Sequence, residues 1–374
     1  MILSYQYRLY PNKTQFEELQ QQLNCCRKLY NEALAERRDT WKEEKKSLNY
    51  YDQANQLKQK RIDDPMLGNV NFSTLQQVLR NVDKTYKAFF RRVKQGGQKA
   101  GFPRFKSDQR FNSLMFRFGD GSSIKNGRLR IQNVGLLKVK WHRPLIGKAK
   151  QVLLTRKNEK WYVTFSVEVD DIAKVPVQAE CGIDVGLEKF LVTSDDEQIE
   201  NPRFLRKEEQ RLRTLQKEVS RKKKGSANRN KSVKQLRKQH ERIKNCRKNF
   251  HHQIAYYLLS KYQQIFVESL NVKGMVKNHH LAKSISDAGW TSFLNILTSK
   301  AESAGCQVVE VNPKRTSQIC SDCGQIVKKS LSVRLHRCNS CGLEIDRDLN
   351  AAINIKRLGL SLCGEDVRPK LASA

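Results

Sequence analysis

Four cysteines near the C-terminus have the types and spacing of a zinc site. They are Cys320, Cys323, Cys338 and Cys341. Each pair has the form CxxC, and fourteen residues separate the two pairs. Zn²⁺ prefers a tetrahedron of soft ligands, and four thiolates complete it without leaving an open position for chemistry. We therefore expect a structural zinc ion, with the nearby His336 on the surface or facing nucleic acid and not among the ligands. Two disulfides or a redox CxxC would suit a secreted or thioredoxin-like chain, and neither context is present.

Three acidic residues stand where a carboxylate needs a partner. Asp184 interrupts an apolar run, Glu268 ends another, and Asp348 opens a predicted helix. A buried charge is costly unless it is paired or binds a cation. Carboxylate oxygens suit Mg²⁺, and two such ions can activate water and stabilise the leaving oxygen in phosphodiester cleavage. The three acids are therefore candidate ligands for catalytic Mg²⁺.

Each acid also has a plainer interpretation. Asp184 could be a turn residue, Glu268 an exposed strand end, and Asp348 the N-cap of the last helix. The charge balance of the chain weighs against all three, because 71 Lys and Arg stand against 38 Asp and Glu, a formal net charge of +33. Such an excess calls for a polyanionic partner, and nucleic acid releases condensed counterions when its phosphates are neutralised.

The bulk composition bounds the class of protein. A chain of 374 residues is long enough for two to three domains at ~150 residues each. Hydrophobic residues make up 38%, which supports folded cores and excludes global disorder. No stretch reaches the ~18 to 20 apolar residues of a membrane span, and residues 1–10 lack a signal-peptide layout. We expect a protein that is located in the cytoplasm or nucleoid and has no membrane partner.

The elements that must position these side chains fall into two halves. Residues 2–10 and 161–167 are predicted strands, residues 14–98 have helical spacing, and 111–170 contain short β-prone runs. After a linker at 171–180, strands at 262–270 and 307–311 alternate with helical stretches at 203–250, 288–304 and 349–358, a pattern typical of an α/β domain.

Six segments match motifs of a known family, in the same order over nearly the whole chain. They are 7–12 (YRLYPN), 101–106 (GFPRFK), 182–186 (GIDVG), 267–270 (VESL), 316–324 (TSQICSDCG) and 346–352 (DRDLNAA). With them the chain resembles the TnpB proteins of bacterial and archaeal insertion-sequence transposons, relatives of type V CRISPR effector nucleases.

The resemblance implies an α+β multidomain fold. A wedge β-domain (1–12 and 108–175) holds an inserted helical recognition lobe (13–107). An RNase H-like α/β domain of the RuvC type (176–313 and 343–374) follows, with a basic helical insertion at about 203–255. A zinc ribbon (314–342) is inserted in the RuvC domain.

The resemblance also implies a function. It predicts a monomeric RNA-guided endonuclease that binds a guide RNA from the transposon end. The enzyme cleaves double-stranded DNA beside a short transposon-adjacent motif, using two Mg²⁺ ions. Asp184, Glu268 and Asp348 match the three catalytic positions, and Asp348 is preferred to Asp346 because it directly precedes Leu-Asn-Ala-Ala. A guided repressor without cleavage and a transposase that joins DNA ends remain alternatives.

Further residues are candidate nucleic-acid contacts. Polar side chains that could hydrogen-bond base edges stand at Ser73, Thr74, Gln76 and Gln77. Basic side chains that could bind phosphates stand at Arg91, Arg92, Lys94, Arg104 and Lys106. Arg347 could stabilise charge on a phosphate or form a salt bridge to Asp346. A solvated helix face is the alternative for the first group.

Overall fold

The computed structural model describes residues 1–96, 100–330 and 333–364. The chain divides into two compact units, residues 1–171 and 172–374. Those parts of the predicted recognition lobe, zinc ribbon and RuvC domain that fall on 97–99, 331–332 and 365–374 lie outside the described residues. No helix in the described ranges is long and apolar enough to cross a membrane.

The first unit is built on seven strands. They are β1 (Ile2–Tyr10), β2 (Ser113–Phe118), β3 (Gly121–Lys125), β4 (Arg128–Ile131), β5 (Gly135–Lys140), β6 (Lys148–Lys157) and β7 (Lys160–Glu168). They close into a barrel in the order β1-β5-β4-β3-β2-β6-β7. Tyr7, Phe116, Trp161 and Phe165 fill its interior. The strands predicted at 2–10 and 161–167 are therefore confirmed.

Four helices interrupt the barrel between its first two strands. They are α1 (Lys13–Glu44), α2 (Tyr50–Asp63), α3 (Pro65–Gly68) and α4 (Phe72–Gln95). The stretch predicted as helical is thus divided, and each new start has a capping side chain. Asn12, Asn49, Asp64 and Asn71 accept hydrogen bonds from the first free N–H groups of the helix that follows.

The second unit contains a mixed five-stranded sheet. Its strands are β8 (Glu180–Val185), β9 (Lys189–Thr193), β10 (Gln198–Glu200), β11 (Gln264–Glu268) and β12 (Gln307–Val311). They follow the order β10-β9-β8-β11-β12, in which β8, β11 and β12 run parallel. A small hairpin of β13 (Leu335–Arg337) and β14 (Glu344–Asp346) lies outside this sheet.

The helices described in this unit are α5 (Phe204–Lys207), α6 (Glu209–Arg221), α7 (Ala227–Lys261), α8 (Val272–Met275), α9 (His279–Ala288), α10 (Trp290–Ala304) and α11 (Arg347–Leu362). Of these, α7, α10 and α11 pack on the two faces of the sheet. Side chains on β11 alternate between the faces. Ile265 and Val267 pack in one core with α7 and α10, and Phe266 packs in another with Ile355 and Leu360 of α11. The result is the α/β layering predicted for this half.

Candidate functional site

Two of the candidate acids lie at the carboxyl end of neighbouring parallel strands. Asp184 is the penultimate residue of β8 and Glu268 is the last residue of β11. The register pairs Ile183 with Val267, so the two acids are the next residues along each strand. Both are partly buried. Neither is an exposed strand end or a turn residue, so these alternative interpretations of Asp184 and Glu268 are wrong.

The third acid reaches the same edge from a helix. Asp348 lies in the first turn of α11, which packs directly on β8. A Cβ placed on Gly186, just beyond β8, would lie 3.9 Å from the Asp348 carboxylate. The N-cap of α11 is Asp346, whose Oδ1 accepts hydrogen bonds from the N–H groups of Asp348 and Leu349 at 2.8 and 3.1 Å. The N-cap interpretation of Asp348 is therefore wrong.

The electrostatics of this edge disfavour charge on Asp184. Burial, followed by the neighbouring carboxylates of Glu268 and Asp348, raises the pKa of Asp184 well above its ordinary value. Burial also raises the pKa of Glu268, against the hydrogen bond that Thr316 Oγ1 donates to Glu268 Oε1 at 2.5 Å. A cation at this edge would relieve the repulsion among the three acids.

Two arginines hold the carboxylate of Asp348. Arg347 donates to Oδ1 from Nε and Nη2 at 3.0 and 2.9 Å, and Arg334 donates to Oδ2 at 3.4 Å. Arg334 also pairs with Glu188 at 2.9 Å. Arg347 thus forms an ion pair with Asp348, and the salt bridge to Asp346 considered from the sequence stays a prediction. Arg334 was missed in the sequence, because its direction depends on the β13–β14 hairpin that follows it.

The three acids share one edge without forming a single tight ligand group. Within the described ranges, four cysteines make up the one group of three or more ligating side chains whose donor atoms all lie within 4.8 Å of one another. Arg347 and Arg334 donate to the two oxygens of Asp348, so an ion shared by Asp184 and Asp348 would compete with these arginines. The catalytic assignment of Asp184, Glu268 and Asp348 therefore stays a prediction.

The cysteine group has the dimensions of a zinc site. Sγ of Cys320 lies 3.6 Å from Sγ of Cys341, and the same distance separates Cys323 from Cys338. A tetrahedron with Zn–S bonds of ~2.3 Å has edges of about 3.8 Å. These distances fit four thiolates around one Zn²⁺ and are far longer than the ~2.05 Å of a disulfide.

Each cysteine pair is shaped by the same backbone turn. The N–H of Cys320 donates to Gln325 O, and the N–H of Cys338 donates to Leu343 O, both at 2.8 Å. Gly324 and Gly342 both have φ of 78°, a conformation that favours glycine. Burial opposes ionisation of Cys338, but backbone N–H groups of Cys341 and Ser340 lower its pKa to about 6. These N–H groups favour the thiolate of Cys338, whereas in Cys341 the neighbouring thiols outweigh the Leu343 N–H and raise the pKa.

Two asparagines tie the first cysteine pair to the helix that carries Asp348. Asn350 accepts from the N–H of Ser321 at 2.9 Å and donates to Ile319 O at 2.8 Å. Asn354 donates to Ile319 O at 2.7 Å and to Thr316 O at 2.9 Å. Both side chains are buried on α11. The sequence signal was two asparagines four residues apart on an apolar helix face, and it was missed.

The sequence indicated a surface position for His336, and this prediction is wrong. It is fully buried on β13 and its Nδ1 contacts Lys329 Nζ. Burial and the Lys329 charge lower the pKa of His336. It is a core residue of the predicted zinc ribbon (314–342), called the zinc module below, and no nucleic acid can reach it in this conformation.

A basic groove of about 680 Å³ lies beside Arg334, which pairs with Asp348. Arg334, which binds Asp348, contributes to its wall. The other cationic side chains in the wall are Arg203, Arg206, Arg213 and Lys283. The groove acids Glu188, Glu209 and Asp287 already have cationic or N–H partners. Among the described residues, no carboxylate pairs with Arg203 or Arg206, so the groove carries surplus positive charge.

The predicted base-reading residues on α4 are not equally accessible. Thr74 is buried and its Oγ1 donates to Asn71 Oδ1, so the prediction that Thr74 contacts bases is wrong in this conformation. Ser73 also donates to Asn71 Oδ1, at 2.7 Å. Gln76 and Gln77 are partly exposed, and Gln77 donates to Asn81. Any base contact from this helix falls to the two glutamines and, with a rearranged hydroxyl, to Ser73.

Most of the predicted phosphate-binding residues of the first unit are exposed to solvent. Arg91, Arg92 and Arg104 are exposed. Lys106 is half-buried, with Nζ 4.1 Å from the centre of the Tyr30 ring, and burial lowers its pKa. Lys106 therefore stacks on an aromatic ring in this structure, and its contact with phosphate stays a prediction.

Replacing Gly182 with alanine is expected to displace α11 from β8. The added Cβ would lie 2.2 Å from Ala352 O and 2.5 Å from Lys356 N, so the helix must move. Overpacking of this kind costs about 1 to 3 kcal/mol or more. Urea denaturation should show this loss of stability. Gly101→Ala is the control, because nothing lies within 4 Å of its added Cβ. Equal stability of the two variants would contradict the close packing described here.

Three family models match parts of the chain. A model described as "Probable transposase" (OrfB_IS605) matches residues 164–279, and a Cas12f1-like TNB domain matches 290–355. A model described as a helix-turn-helix domain matches residues 1–46. In the structure that segment is the strand β1 followed by the single long helix α1, so it contains no helix-turn-helix.

Full-length relatives carry a consistent description, "Putative RNA-guided DNA endonuclease". One, from Streptomyces pristinaespiralis, is 32% identical over 99% of this chain and 93% of its own length. Another, InsQ of Escherichia coli (strain K12), is 29% identical over 98% of this chain and 95% of its own length. The solved mini-RNA-guided endonuclease CRISPR-Cas_phi3 aligns with 96% of this chain and 92% of its own, with a TM-score of 0.50 and 11% identity. At that identity, the likeness concerns the fold.

Proposed function

Because the chain belongs to the TnpB family of transposon-associated proteins, we propose that it is an RNA-guided endonuclease that hydrolyses double-stranded DNA. The observation that carries the proposal is the edge where β8, β11 and the start of α11 meet. It gathers Asp184, Glu268 and Asp348, of which the first and the last are 164 positions apart in the sequence. A site for phosphodiester chemistry needs carboxylates of this kind beside a surface that binds phosphates.

The donor set of this edge fits Mg²⁺. Asp184, Glu268 and Asp348 would hold it through carboxylate oxygens, the ligands that this ion prefers. Bound there, two ions would polarise the phosphate and supply an activated water. Thr316 keeps Glu268 oriented through its hydrogen bond, and Asp346 fixes the helix turn from which Asp348 projects.

The basic residues around Asp348 would bind the DNA strand. Arg334 and Arg347 already contact a carboxylate, and a phosphate offers their N–H groups acceptor oxygens with more negative charge. The groove with Arg203 and Arg206 would hold the sugar-phosphate backbone on the approach to the acids. Such contacts position a strand without reading its sequence, which suits an enzyme that is directed by an RNA.

Sequence choice would then come from base pairing with a bound guide RNA, supplied by the transposon end. A short transposon-adjacent motif in the DNA would be read by the protein, with Gln76 and Gln77 as the accessible candidates. An enzyme with this substrate and this guide would act in a prokaryotic cytoplasm, at the nucleoid.

The test begins with the RNA that copurifies with the full chain. We expect sequencing to recover an RNA whose 3′ part is a variable guide. The protein, reconstituted with that RNA and Mg²⁺, should cut a plasmid library that carries the matching target beside randomised flanking sequence. The cut ends should carry 5′-phosphate and 3′-hydroxyl groups.

Two outcomes would replace this proposal. Guided binding to the target without cleavage at any Mg²⁺ concentration would make the protein a guided binder. Joined DNA ends formed without RNA would make it a transposase. Cleavage that ignores the guide sequence would also contradict the proposal, because it would separate the nuclease from RNA direction.

A further inference from the structure

The first unit exposes a group of aromatic rings at the C-terminal end of α4. We call Tyr86, Phe89, Phe90 and Phe102 the aromatic cluster. Ring centres of Phe89 lie 5.2 Å from Phe90 and 5.3 Å from Phe102, and those of Tyr86 and Phe102 lie 5.8 Å apart. Phe90 is 59% exposed and Phe102 is 46% exposed. These rings pack on one another and still present their outer faces to solvent.

Such a surface calls for a partner that covers it. Single exposed hydrophobic residues are normal in proteins, but contiguous aromatic patches mark interaction sites. Val93, one turn beyond Phe90, is 54% exposed and extends the apolar area along the helix. The barrel core of this unit does not use these outer faces, so packing within the unit does not account for them.

The charge around the aromatic cluster selects the kind of partner. Between residues 86 and 106 the sequence contains seven Lys or Arg and no Asp or Glu. Arg91, Arg92 and Arg104 are exposed beside the rings. A second copy of a chain with net charge +33 would bring like charges together at this surface. A polyanion would gain from the same charges, so nucleic acid fits better than self-association.

The exposed rings further indicate that the bound nucleotides are unpaired. Aromatic side chains bind exposed bases by stacking, and arginines beside them bind the adjoining phosphates. Bases in a DNA duplex are already stacked and paired, whereas loops and bulges of a structured RNA offer free base faces. A guide RNA is also the resident partner under the proposed function, and it would keep the apolar rings covered before DNA arrives.

We propose that the aromatic cluster is a stacking surface for unpaired bases of the bound guide RNA, with Phe90 and Phe102 as the principal contacts. Arg91, Arg92 and Arg104 bind the phosphates of the same nucleotides. This inference rests on the proposed function for the identity of the RNA. The direct binding test below does not depend on cleavage, so either proposal can fail while the other stands.

The experiment compares RNA binding by the full-length wild type and the Phe90→Ala/Phe102→Ala double variant. The probe is a labelled, unstructured 20-nucleotide RNA of mixed sequence. We expect affinity to fall about tenfold, the scale on which loss of base-aromatic stacking is measured. The slope of log affinity against log salt should be unchanged, because no charge is removed. Phe90→Trp/Phe102→Trp should bind as the wild type does.

Two further variants separate stacking from charge and from general damage. Arg91→Ala/Arg92→Ala should reduce the salt slope by about 1.4, at ~0.7 per phosphate contact on a single strand. Tyr51→Ala/Tyr256→Ala removes two rings that are 72% and 71% exposed outside the cluster, and it should leave RNA affinity unchanged. In the wild type, ultraviolet crosslinking of 5-bromouridine RNA should map to Phe90 or Phe102.

Several results would overturn the proposal. Unchanged RNA affinity in Phe90→Ala/Phe102→Ala would do so, as would an equal loss in Tyr51→Ala/Tyr256→Ala. An equal loss for duplex RNA would show that free bases are not the ligand. A loss confined to single-stranded DNA of the same sequence would assign the surface to the target. If light scattering showed that the wild type is a dimer and Phe90→Ala/Phe102→Ala a monomer, the aromatic cluster would be an interface between copies.

Discussion

Replacing Asp184 with asparagine should abolish DNA cleavage and at the same time stabilise the folded protein in Mg²⁺-free buffer. Loss of a metal-binding carboxylate removes several kcal/mol of transition-state stabilisation, so we expect the cleavage rate to fall at least ~10³-fold. Guided binding of the target should persist, because base pairing and backbone contacts do not involve Asp184. Single-turnover cleavage and gel retardation of the same complex measure the two effects.

The stability gain follows from the raised pKa of Asp184. Burial and the carboxylates of Glu268 and Asp348 disfavour its charged form in the folded state. At a pH above the folded pKa, the protein carries a cost of ~1.4 kcal/mol for each pH unit that separates the folded from the unfolded pKa, and asparagine removes it. As the pH falls through the folded pKa towards the ordinary value, the wild type takes up a proton and the difference between the two proteins disappears.

Mg²⁺ should reverse the order of stability. An ion bound at the acidic edge stabilises the folded wild type by mass action and has a weaker site in Asp184→Asn. Asp196→Asn is the charge-matched control, because Asp196 is exposed in the same unit. It should leave cleavage and Mg²⁺ response unchanged. Wild-type cleavage by Asp184→Asn, or a Mg²⁺ response equal to that of the wild type, would refute the assignment of Asp184.

The sequence revealed Asp184 and Glu268 because each places a carboxylate within an apolar strand. Strand pairing then brought them together, since carboxyl ends of parallel neighbours lie at one edge. Distinguishing Asp348 from Asp346 needed the capping geometry, in which Asp346 binds the helix N–H groups and Asp348 does not. Arg334 could not be predicted as a partner of Asp348. It lies fourteen positions earlier in the sequence, and the fold of the zinc module between them brings the two side chains together.

The helices and strands were predictable where the pattern of apolar residues within a short segment determines them. The pairing of strands that are distant in the sequence was not predictable. Helical spacing identified the block from 14 to 98, but its division into four helices depends on capping side chains such as Asn49 and Asp64. Alternation identified β1 and β7 as strands. Their pairing, with Leu3 opposite Val167, closes a barrel through contacts that no short window contains.

Burial produced the two errors among polar residues. Thr74 belongs to the polar pattern at the start of α4, yet its hydroxyl turns inward to the capping residue Asn71. His336 stands between exposed residues on a three-residue strand and points into the zinc module. In both cases the side chain is buried beside a hydrogen-bond partner nearby in the sequence, Asn71 or Lys329. The periodicity of the sequence does not predict that contact.

Replacing Cys338 with serine should remove zinc and, through α11, DNA cleavage as well. Zinc content should fall from about one ion per chain to well below half, because a hydroxyl is a poor replacement for a thiolate ligand. The cysteine pairs would then lose their fixed turns. Asn350 and Asn354 bind the first pair from α11, and Asp348 lies two residues before Asn350. Disorder in the zinc module should therefore loosen the Asp348 turn.

We expect cleavage by Cys338→Ser to fall about 10- to 100-fold, the range found when groups that support a metal site are lost. Elemental analysis, thermal unfolding and single-turnover cleavage on one preparation measure zinc, stability and activity together. Cys246→Ser is the matched control, because Cys246 is an exposed free thiol on α7. It should resemble the wild type in all three. A zinc-free Cys338→Ser protein that still cleaves at the wild-type rate would show that the zinc module and the acidic edge act independently.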